Sequence, residues 1–275
     1  MDNLKFHVGV ASDIGNTKTT NQDSVLVEIG DYKGKEFGLF LVCDGLGGLS
    51  QGEIASLSAV KCFKEWWENE VGDLIKKEDK DIIESLEETL LRANRRIYKY
   101  SKEINSKIGT TVTALFISGN KYYIVNVGDS RIYRVDKRVI QETEDDSYVA
   151  MKVKNKEMTI EEAKNSKMKN ILLQCVGAKE NIVVYKKIGE IGQSAAFLLC
   201  SDGFYNKFNE KEMKIELDKL LKSEDYDTEV QDLAINMVQT VKNRKERDNI
   251  SLILVIIEGR REKENIFSRL IRRRE

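Results

Sequence analysis

Apolar segments and amphipathic stretches occur in groups along the chain, and their grouping predicts the fold class. Apolar or alternating runs predict strands at residues 6–11, 24–29, 37–43, 110–118, 122–127, 131–135, 182–187, 196–200 and 250–257. Apolar positions at helical spacing predict helices that begin at Glu53 and Asp81 and two more at residues 210–221 and 228–241. Because groups of strands are separated by pairs of helices, the pattern predicts an α+β protein with antiparallel sheets flanked by helices.

Two predicted strands end in the same dipeptide. In "LFLVCDGLGG" the apolar run ends at Asp44, and in "AFLLCSDGF" it ends just before Asp202. The segment "YIVNVGDSR" places Asp129 in a similar position. An Asp-Gly pair after a strand is also a strong signal for a hairpin turn. The segment after Asp44 reads as a helix rather than as a returning strand, and the motif recurs. The sequence therefore leaves two interpretations: a turn, or a functional role for the aspartate carboxylates.

A polar, lysine-rich segment covers residues 136–170, and only residues 159–164 show a short helical pattern. Long irregular insertions in compact domains are often functional. A merely solvated excursion explains the composition equally well.

Composition describes an ordinary globular protein. The 275 residues are 41% hydrophobic and 33% charged, with a net charge of −1, so nothing points to nucleic acid as a partner. The longest apolar run, residues 252–257, is too short for a transmembrane segment. The first ten residues lack the apolar core of a signal peptide. We therefore expect one domain in the cytoplasm.

Several catalytic schemes are excluded by residue usage. His7 is the only histidine in the chain, which argues against Ser-His-Asp and Cys-His catalysis and against a zinc site. The four cysteines are scattered without a CxxC pair and read as buried thiols. Neither GxGxxG nor GxxxxGK[ST] occurs, so a dinucleotide or P-loop nucleotide site is not expected.

Five aspartates lie at predicted strand ends: Asp23, Asp44, Asp129, Asp202 and Asp248. If these strands are antiparallel or lie in facing sheets, the carboxylates gather at one edge. Two of them about 4 Å apart repel by about 4 kcal/mol at an effective dielectric near 20. Protons or divalent cations must then neutralise them, and an all-oxygen ligand set favours Mg²⁺ or Mn²⁺. Two such ions can activate a water molecule and hold a phosphoryl group.

Seven segments in order carry a family resemblance: "SDIGNTKTTNQDS", "VCDGLGG", "GTTVTALF", "VNVGDSRIYR", "ILLQCVG", "LLCSDGF" and "RDNISLILV". Together they resemble the type 2C protein phosphatases, the metal-dependent serine/threonine protein phosphatases, and most of all the bacterial stand-alone members. The resemblance runs from about residue 7 to 257. It implies a four-layer α-β-β-α sandwich at residues 1–258, with a metal centre at one end of two facing antiparallel sheets.

The resemblance also implies roles for single residues. Asp44 would bridge two Mn²⁺ or Mg²⁺ ions, and the Gly45 carbonyl would bind one of them. Asp202 and Asp248 would complete the second site, Asp23 would hold metal-bound water, and Asp129 would serve a third, weaker metal with Asp202. A metal-bridging hydroxide would hydrolyse phosphoserine and phosphothreonine in proteins phosphorylated by a serine/threonine kinase, which places the protein in signal transduction.

The chain departs from the family pattern at Lys18, where relatives usually have an arginine that binds substrate phosphate. Lysine offers a compact charge rather than a bidentate fork, so we expect looser phosphate binding. A surface lysine with no such role is the alternative. Residues 136–170 stand where the family carries its flap beside the substrate, and they lack a histidine found early in bacterial flaps. Asn206 replaces a frequent aspartate, and we expect no metal role for it.

Residues 259–275 carry seven basic and three acidic residues, with apolar positions that would form a stripe on a helix. This basic amphipathic tail is consistent with contact to a partner or a membrane surface. A frayed terminal helix is the alternative.

Two other functions remain open from sequence. One is a weakened pseudophosphatase that acts as a binding or sensor module, favoured by Lys18 and the missing flap histidine. The other is a two-metal hydrolase of phosphodiesters or small phosphomonoesters. The lack of a basic surface argues against a nuclease.

Overall fold

The computed structural model describes residues 4–46, 51–192, 194–221 and 226–259. The strands within these residues are β1 Leu4–Asp13, β2 Ser24–Tyr32, β3 Lys35–Cys43, β4 Val112–Ser118, β5 Lys121–Val127, β6 Arg131–Val135, β7 Val139–Gln141, β8 Tyr185–Glu190, β9 Ser194–Cys200 and β10 Ile250–Gly259. The helices are α1 Gly52–Asn69, α2 Val71–Leu74, α3 Asp79–Glu103, α4 Tyr148–Lys154, α5 Ile160–Asn165, α6 Asp202–Tyr205, α7 Glu210–Leu220 and α8 Tyr226–Asn243.

The strands form two five-stranded sheets. One has the order β1-β10-β9-β6-β7 and the other the order β2-β3-β4-β5-β8, and every pairing is antiparallel. The sheets pack face to face through one buried cluster, to which Phe40 and Leu115 contribute from one sheet and Phe197 and Ile253 from the other. The predicted pair of facing antiparallel sheets is confirmed.

Helices cover both outer faces of the sandwich. Strand β3 shows why, since Leu39 and Leu41 pack towards the helices while Phe40 packs towards the other sheet. Trp66 of α1 and Leu86 of α3 belong to the same outer cluster as Leu39. A second outer cluster joins α7 and α8 to the other sheet. A strand that is apolar on both faces can only lie in an interior layer, and the result is the expected four-layer α-β-β-α architecture.

Element boundaries differ from prediction in the second half of the chain. The strand predicted at residues 182–187 is β8, Tyr185–Glu190, an edge strand that pairs only with β5. Its alternation of half-buried and exposed positions gave a weak apolar signal. The segment 136–170 holds the short strand β7, the helix α4 and the helix α5, and only α5 was predicted. Ser147 caps the start of α4 by accepting a hydrogen bond from the Ala150 backbone N–H. Because the surrounding sequence is also polar, this capping serine does not stand out.

Three smaller expectations can be compared with the structure. All four cysteines are free and buried, as predicted. None of the described helices has the length and apolar character needed to cross a lipid bilayer. The tail prediction falls on residues 260–275, which lie outside the described part of the chain, as do Gly47 and Gly48.

We expect the inter-sheet layer to dominate stability. Leu115 is fully buried between the sheets, so Leu115→Ala should lower the free energy of unfolding by about 2–5 kcal/mol in urea denaturation. Leu57 of α1 is 47% exposed, and Leu57→Ala should cost less than about 1 kcal/mol. Equal losses in the two variants would contradict a core located between the sheets.

Candidate active site

A cavity of about 600 Å³ opens at one end of the sandwich. Lys18, Asp44, Asp129, Asp202 and Asp248 all line it. Residues from five parts of the sequence, separated by most of the chain, therefore meet at one rim of the molecule. This convergence was expected from the positions of the aspartates at strand ends.

Strand register explains how the aspartates meet. Ser24 pairs with Cys43, so Asp23 and Asp44 lie side by side at the ends of β2 and β3. Leu252 pairs with Cys200, which brings Asp248, just before β10, beside Asp202, just after β9. Arg131 also pairs with Cys200, which brings Asp129 to the other side of Asp202. Antiparallel neighbours thus supply the aspartates in adjacent pairs, and the facing of the sheets brings the pairs together.

The backbone around Asp44 is fixed by two threonines. The Thr111 hydroxyl accepts a hydrogen bond from the Asp44 N–H at 2.9 Å, and the Thr110 hydroxyl donates one to the Asp44 carbonyl at 2.9 Å. The Thr111 N–H donates to the same carbonyl at 2.8 Å. These contacts hold Asp44 at the cavity without using its carboxylate, which stays available for a ligand.

The glycines after Asp44 and Asp202 serve close packing rather than turns. A Cβ at Gly45 would lie 2.5 Å from the carbonyl oxygens of both Gln22 and Gly52, and one at Gly203 would lie 2.0 Å from the Asn249 carbonyl oxygen. Neither glycine has a positive φ, so the hairpin-turn interpretation of these Asp-Gly pairs is wrong. Only hydrogen fits where backbone meets backbone this closely.

Asp23 lies behind the cavity. The Ser201 hydroxyl donates to its Oδ2 at 2.9 Å, whereas Oδ1 is buried and has no hydrogen-bond partner among the described residues. Burial raises the pKa of Asp23 to about 6, against the lowering effect of the Ser251 and Ser201 hydroxyls. A buried carboxylate oxygen without a partner is costly, and its presence indicates that something outside the chain completes it.

The other carboxyls are perturbed in the same direction. Burial and the charges of the surrounding aspartates raise the pKa values of Asp44 and Asp202 well above the ordinary range. Asp129 is only 6% exposed. Burial and the charge of Asp145 raise its pKa to about 7, and Arg131 opposes the shift. Packed without cations, this cluster is electrostatically strained.

Lys18 is not an ordinary surface lysine. Its Nζ lies 2.7 Å from Asp248 Oδ1, and its side chain is 30% exposed. Burial lowers the pKa of Lys18, but the hydrogen bond that it donates to Asp248 and the negative charges of Asp248, Asp44 and Asp202 outweigh that and raise the pKa. A permanent positive charge therefore stands inside the acidic cavity, at the position predicted for phosphate binding.

The donor set fits hard divalent cations in part. Carboxylate and carbonyl oxygens are the ligands that Mg²⁺ and Mn²⁺ prefer, and the unpartnered Asp23 Oδ1 and the raised carboxyl pKa values mark a place for positive charge. Within the described ranges, no three acidic, histidine or cysteine side chains form a group able to hold an ion. Mg²⁺ keeps several waters in its coordination shell, so the aspartates that line the cavity would bind such an ion partly through water.

Sequence reasoning missed Asn249, which is 3% exposed. Its Nδ2 donates to the carbonyls of Ile14 at 2.9 Å and Thr20 at 3.2 Å, and its Oδ1 accepts from the Gln22 N–H at 2.9 Å. Asn249 thereby ties the loop that carries Lys18 to the start of β10. The available signal was an asparagine directly before a strongly apolar strand, where a polar side chain must be satisfied.

The segment 136–170 is anchored beside the cavity at its base. Arg131 donates to Asp145 from Nε and Nη2 at 3.0 and 2.6 Å, and its guanidinium stacks 3.7 Å from the Tyr205 ring centre. The Gly128 N–H donates to Asp146 Oδ2 at 3.0 Å. The two arms of the segment also meet, because the Leu173 N–H donates to the Asp146 carbonyl at 2.7 Å and the Tyr148 N–H to the Ile171 carbonyl at 2.8 Å. Asn170, at its far end, lines the cavity.

Known proteins are similar to this chain in sequence and in fold. A sequence profile described as protein phosphatase 2C matches residues 15–238. The serine/threonine phosphatase stp of Listeria monocytogenes serotype 4b (strain F2365) is 31% identical over 256 residues, which cover 91% of this chain and 95% of that protein.

Solved structures give the same result for the fold. The crystal structure of the serine/threonine phosphatase Stp1 from Staphylococcus aureus superposes with a TM-score of 0.80 at 27% identity, covering 94% of this chain and 98% of that chain. The catalytic domain of the serine/threonine protein phosphatase PstP, solved with two manganese ions, superposes with a TM-score of 0.75 at 23% identity, covering 94% and 100%.

The sandwich of two facing sheets that this chain shares with these relatives, together with the family match, defines an enzyme of the phosphatase class. The chain belongs to the protein phosphatase 2C family. The resemblance recognised from the seven sequence segments is confirmed.

The carboxyl cluster predicts how stability depends on pH when metal ions are removed. Unfolded aspartates lose their protons near pH 4, whereas Asp23 and Asp129 hold theirs to about pH 6 and 7 in the fold. The folded state therefore binds more protons in that interval, and its free energy of unfolding falls as pH rises from about 4 to 7.

We expect urea denaturation in EDTA to show this fall. Asp44→Asn should raise stability in EDTA at pH 8, because it removes one of the mutually repelling charges, and should reduce the pH dependence. Asp232→Asn, at an exposed position of α8, is the matched control and should behave as the parent protein. Stability that rises with pH in EDTA would contradict the perturbed cluster.

Proposed function

We propose that this protein hydrolyses phosphoserine and phosphothreonine in proteins, with two Mn²⁺ or Mg²⁺ ions as cofactors. The observation that carries the proposal is the convergence of Asp44, Asp202 and Asp248 on one cavity. Membership of the protein phosphatase 2C family supports it. So do the names of the relatives, which describe serine/threonine phosphatases, one of them solved with two manganese ions.

In this proposal Asp44 would contribute to both ion sites, the Gly45 carbonyl to one of them, and Asp202 and Asp248 to the second. Asp129 and Asp202 would serve a third, weaker site. The bound ions would supply a water molecule of lowered pKa and would neutralise phosphate charge. The Asp23 Oδ1, buried and without a partner, would accept a hydrogen bond from a water molecule in the cavity and orient it.

Lys18 contributes the charge that binds phosphate. Its ammonium stays protonated because Asp248, Asp44 and Asp202 stabilise it. On binding, the phosphate oxygens would replace Asp248 Oδ1 as its partner, at the same side of the cavity. Lysine presents one compact charge, so orientation of the phosphate depends more on the rest of the site than it would with an arginine fork.

We assign the chemistry to residues 1–258 and treat residues 259–275 as an appendage that contacts a partner or membrane surface. The substrates in this proposal are cytoplasmic proteins phosphorylated by a serine/threonine kinase. The net charge of −1 favours a protein substrate over nucleic acid.

Metal dependence gives the first test of the proposal. Mn²⁺ or Mg²⁺ should support phosphate release from a phosphothreonine peptide, and EDTA should abolish it. Asp44→Asn and Asp202→Asn should each lower kcat/KM by about 100-fold or more, because each loses a ligand that positions the ions. Asp232→Asn should retain full activity. An Asp44→Asn enzyme as active as the parent would refute the assigned centre, and no turnover even of p-nitrophenyl phosphate would favour a binding or sensor module.

Lys18 gives the second test. Lys18→Gln removes a charged hydrogen bond to phosphate, a contact worth about 1.5–3 kcal/mol, so KM for the phosphopeptide should rise by about 10-fold or more. Lys18→Arg restores the charge with a bidentate fork and should keep KM at or below the parent value. Steady-state measurement of kcat and KM separates these outcomes. An unchanged KM in Lys18→Gln would remove Lys18 from phosphate binding.

A further inference from the structure

A second cavity, of about 310 Å³, continues from the catalytic one. The two share Lys18, Asn170 and Asp248 as lining residues. We call the second cavity the basic groove, and its own cationic residues are Lys169, Lys207, Lys245 and Arg247. Nothing in the catalytic scheme above uses these four side chains.

The backbone of one wall is fixed in place. Asn16 Nδ2 donates to the carbonyls of Lys242 and Glu246, both at 2.8 Å, and the Thr17 hydroxyl donates to the Arg247 carbonyl at 2.6 Å. Lys245 adopts a left-handed conformation with φ of 61° where α8 ends. Contacts with the loop that carries Lys18 therefore fix the backbone of this wall. The wall is already ordered before any ligand binds.

The cations on this wall are not held in ion pairs among the described residues. Lys207, Lys245 and Arg247 are exposed, and Lys169 is half-buried. In the described part of the chain, the side chains of Lys207, Lys245 and Arg247 form no ion pair and no hydrogen bond. Lys169 donates only to the neutral Asn206, at 3.4 Å.

The two acidic residues of the groove, Glu246 and Asp248, offset only part of the charge of its five cations, Lys18, Lys169, Lys207, Lys245 and Arg247. Glu246 is buried and accepts hydrogen bonds from the backbone N–H groups of Arg247 at 2.6 Å and Asp248 at 3.1 Å. Asp248 is paired with Lys18. Cations crowded in one groove repel one another, and an anion relieves that repulsion while gaining charged hydrogen bonds.

We propose that the basic groove binds an anionic side chain of the substrate, a carboxylate or a second phosphate, a few residues from the phosphorylated residue in the catalytic cavity. The inference rests on the proposed function, because Lys18 belongs to both cavities and an extended chain that leaves the phosphate passes into the groove. The enzyme would then prefer acidic or doubly phosphorylated sites over neutral ones.

Peptide selectivity tests the proposal. Phosphothreonine peptides with alanine, glutamate or a non-hydrolysable phosphonate at each flanking position are compared by kcat/KM with Mn²⁺. We expect glutamate at the favoured position to raise kcat/KM by about 3-fold to 10-fold over alanine, and the phosphonate by more. High salt should reduce both preferences, since these charges are partly exposed. No preference at any position would overturn the proposal, and a preference for the phosphonate alone would identify a second phosphate as the ligand.

A variant with Lys207→Gln, Lys245→Gln and Arg247→Gln together should lose the preference and keep its rate on the alanine peptide and on p-nitrophenyl phosphate. Lys61→Gln, Lys64→Gln and Lys99→Gln together, at exposed positions of α1 and α3 on the other outer face, form the charge-matched control and should keep the preference. Selectivity retained in the triple variant, or a rate loss equal on all substrates, would contradict the groove assignment.

Binding separates this inference from the proposed function. Fluorescence anisotropy of labelled phosphonate peptides needs no turnover and can be measured on the parent protein even if every substrate proves inert. Inert substrates with intact, acid-dependent peptide binding would refute the phosphatase mechanism alone. Turnover without acid-dependent binding would refute the groove alone.

Discussion

The structure depends on holding like charges together. The aspartates at the rim are carried there by strand ends, and at Asp44 the contacts of Thr110 and Thr111 satisfy the backbone without using the carboxylate. Two fully packed sheets supply the free energy that opposes the resulting repulsion. The raised carboxyl pKa values and the inward position of Lys18 follow from that one constraint, because a cluster so placed must attract protons, lysine or metal ions.

Much of this could be predicted from the sequence, for identifiable reasons. Strands buried on both faces give continuous apolar runs, so β3, β9 and β10 were placed correctly, and the aspartates at their ends were placed with them. The close contact of backbone with backbone at Gly45 and Gly203 was not predicted, because the distant carbonyls that press on these glycines cannot be read from the Asp-Gly motif. Strand register, which brings Asp129 beside Asp202, could be expected only once antiparallel neighbours were assumed.

The remaining features depend on contacts that a sequence pattern does not encode. Strand β8 is half exposed and β7 is short, so neither has a strong apolar signature. Asn249 acts through three backbone groups contributed by a distant loop, and its role exists only in the folded chain. The pairing of Lys18 with Asp248 could not be predicted from sequence pattern either, since the two residues are 230 positions apart in the chain (248 − 18).

The base of the segment between Asp145 and Leu173 has a consequence for how such enzymes diversify. Its two arms are joined to each other at Asp146, and the near arm is clamped by Arg131. The residues between these two arms form a loop whose ends lie close together. Lengthening a closed loop costs little free energy. Insertions, deletions or replacement of this loop can therefore change the surface beside the catalytic cavity without moving the aspartates.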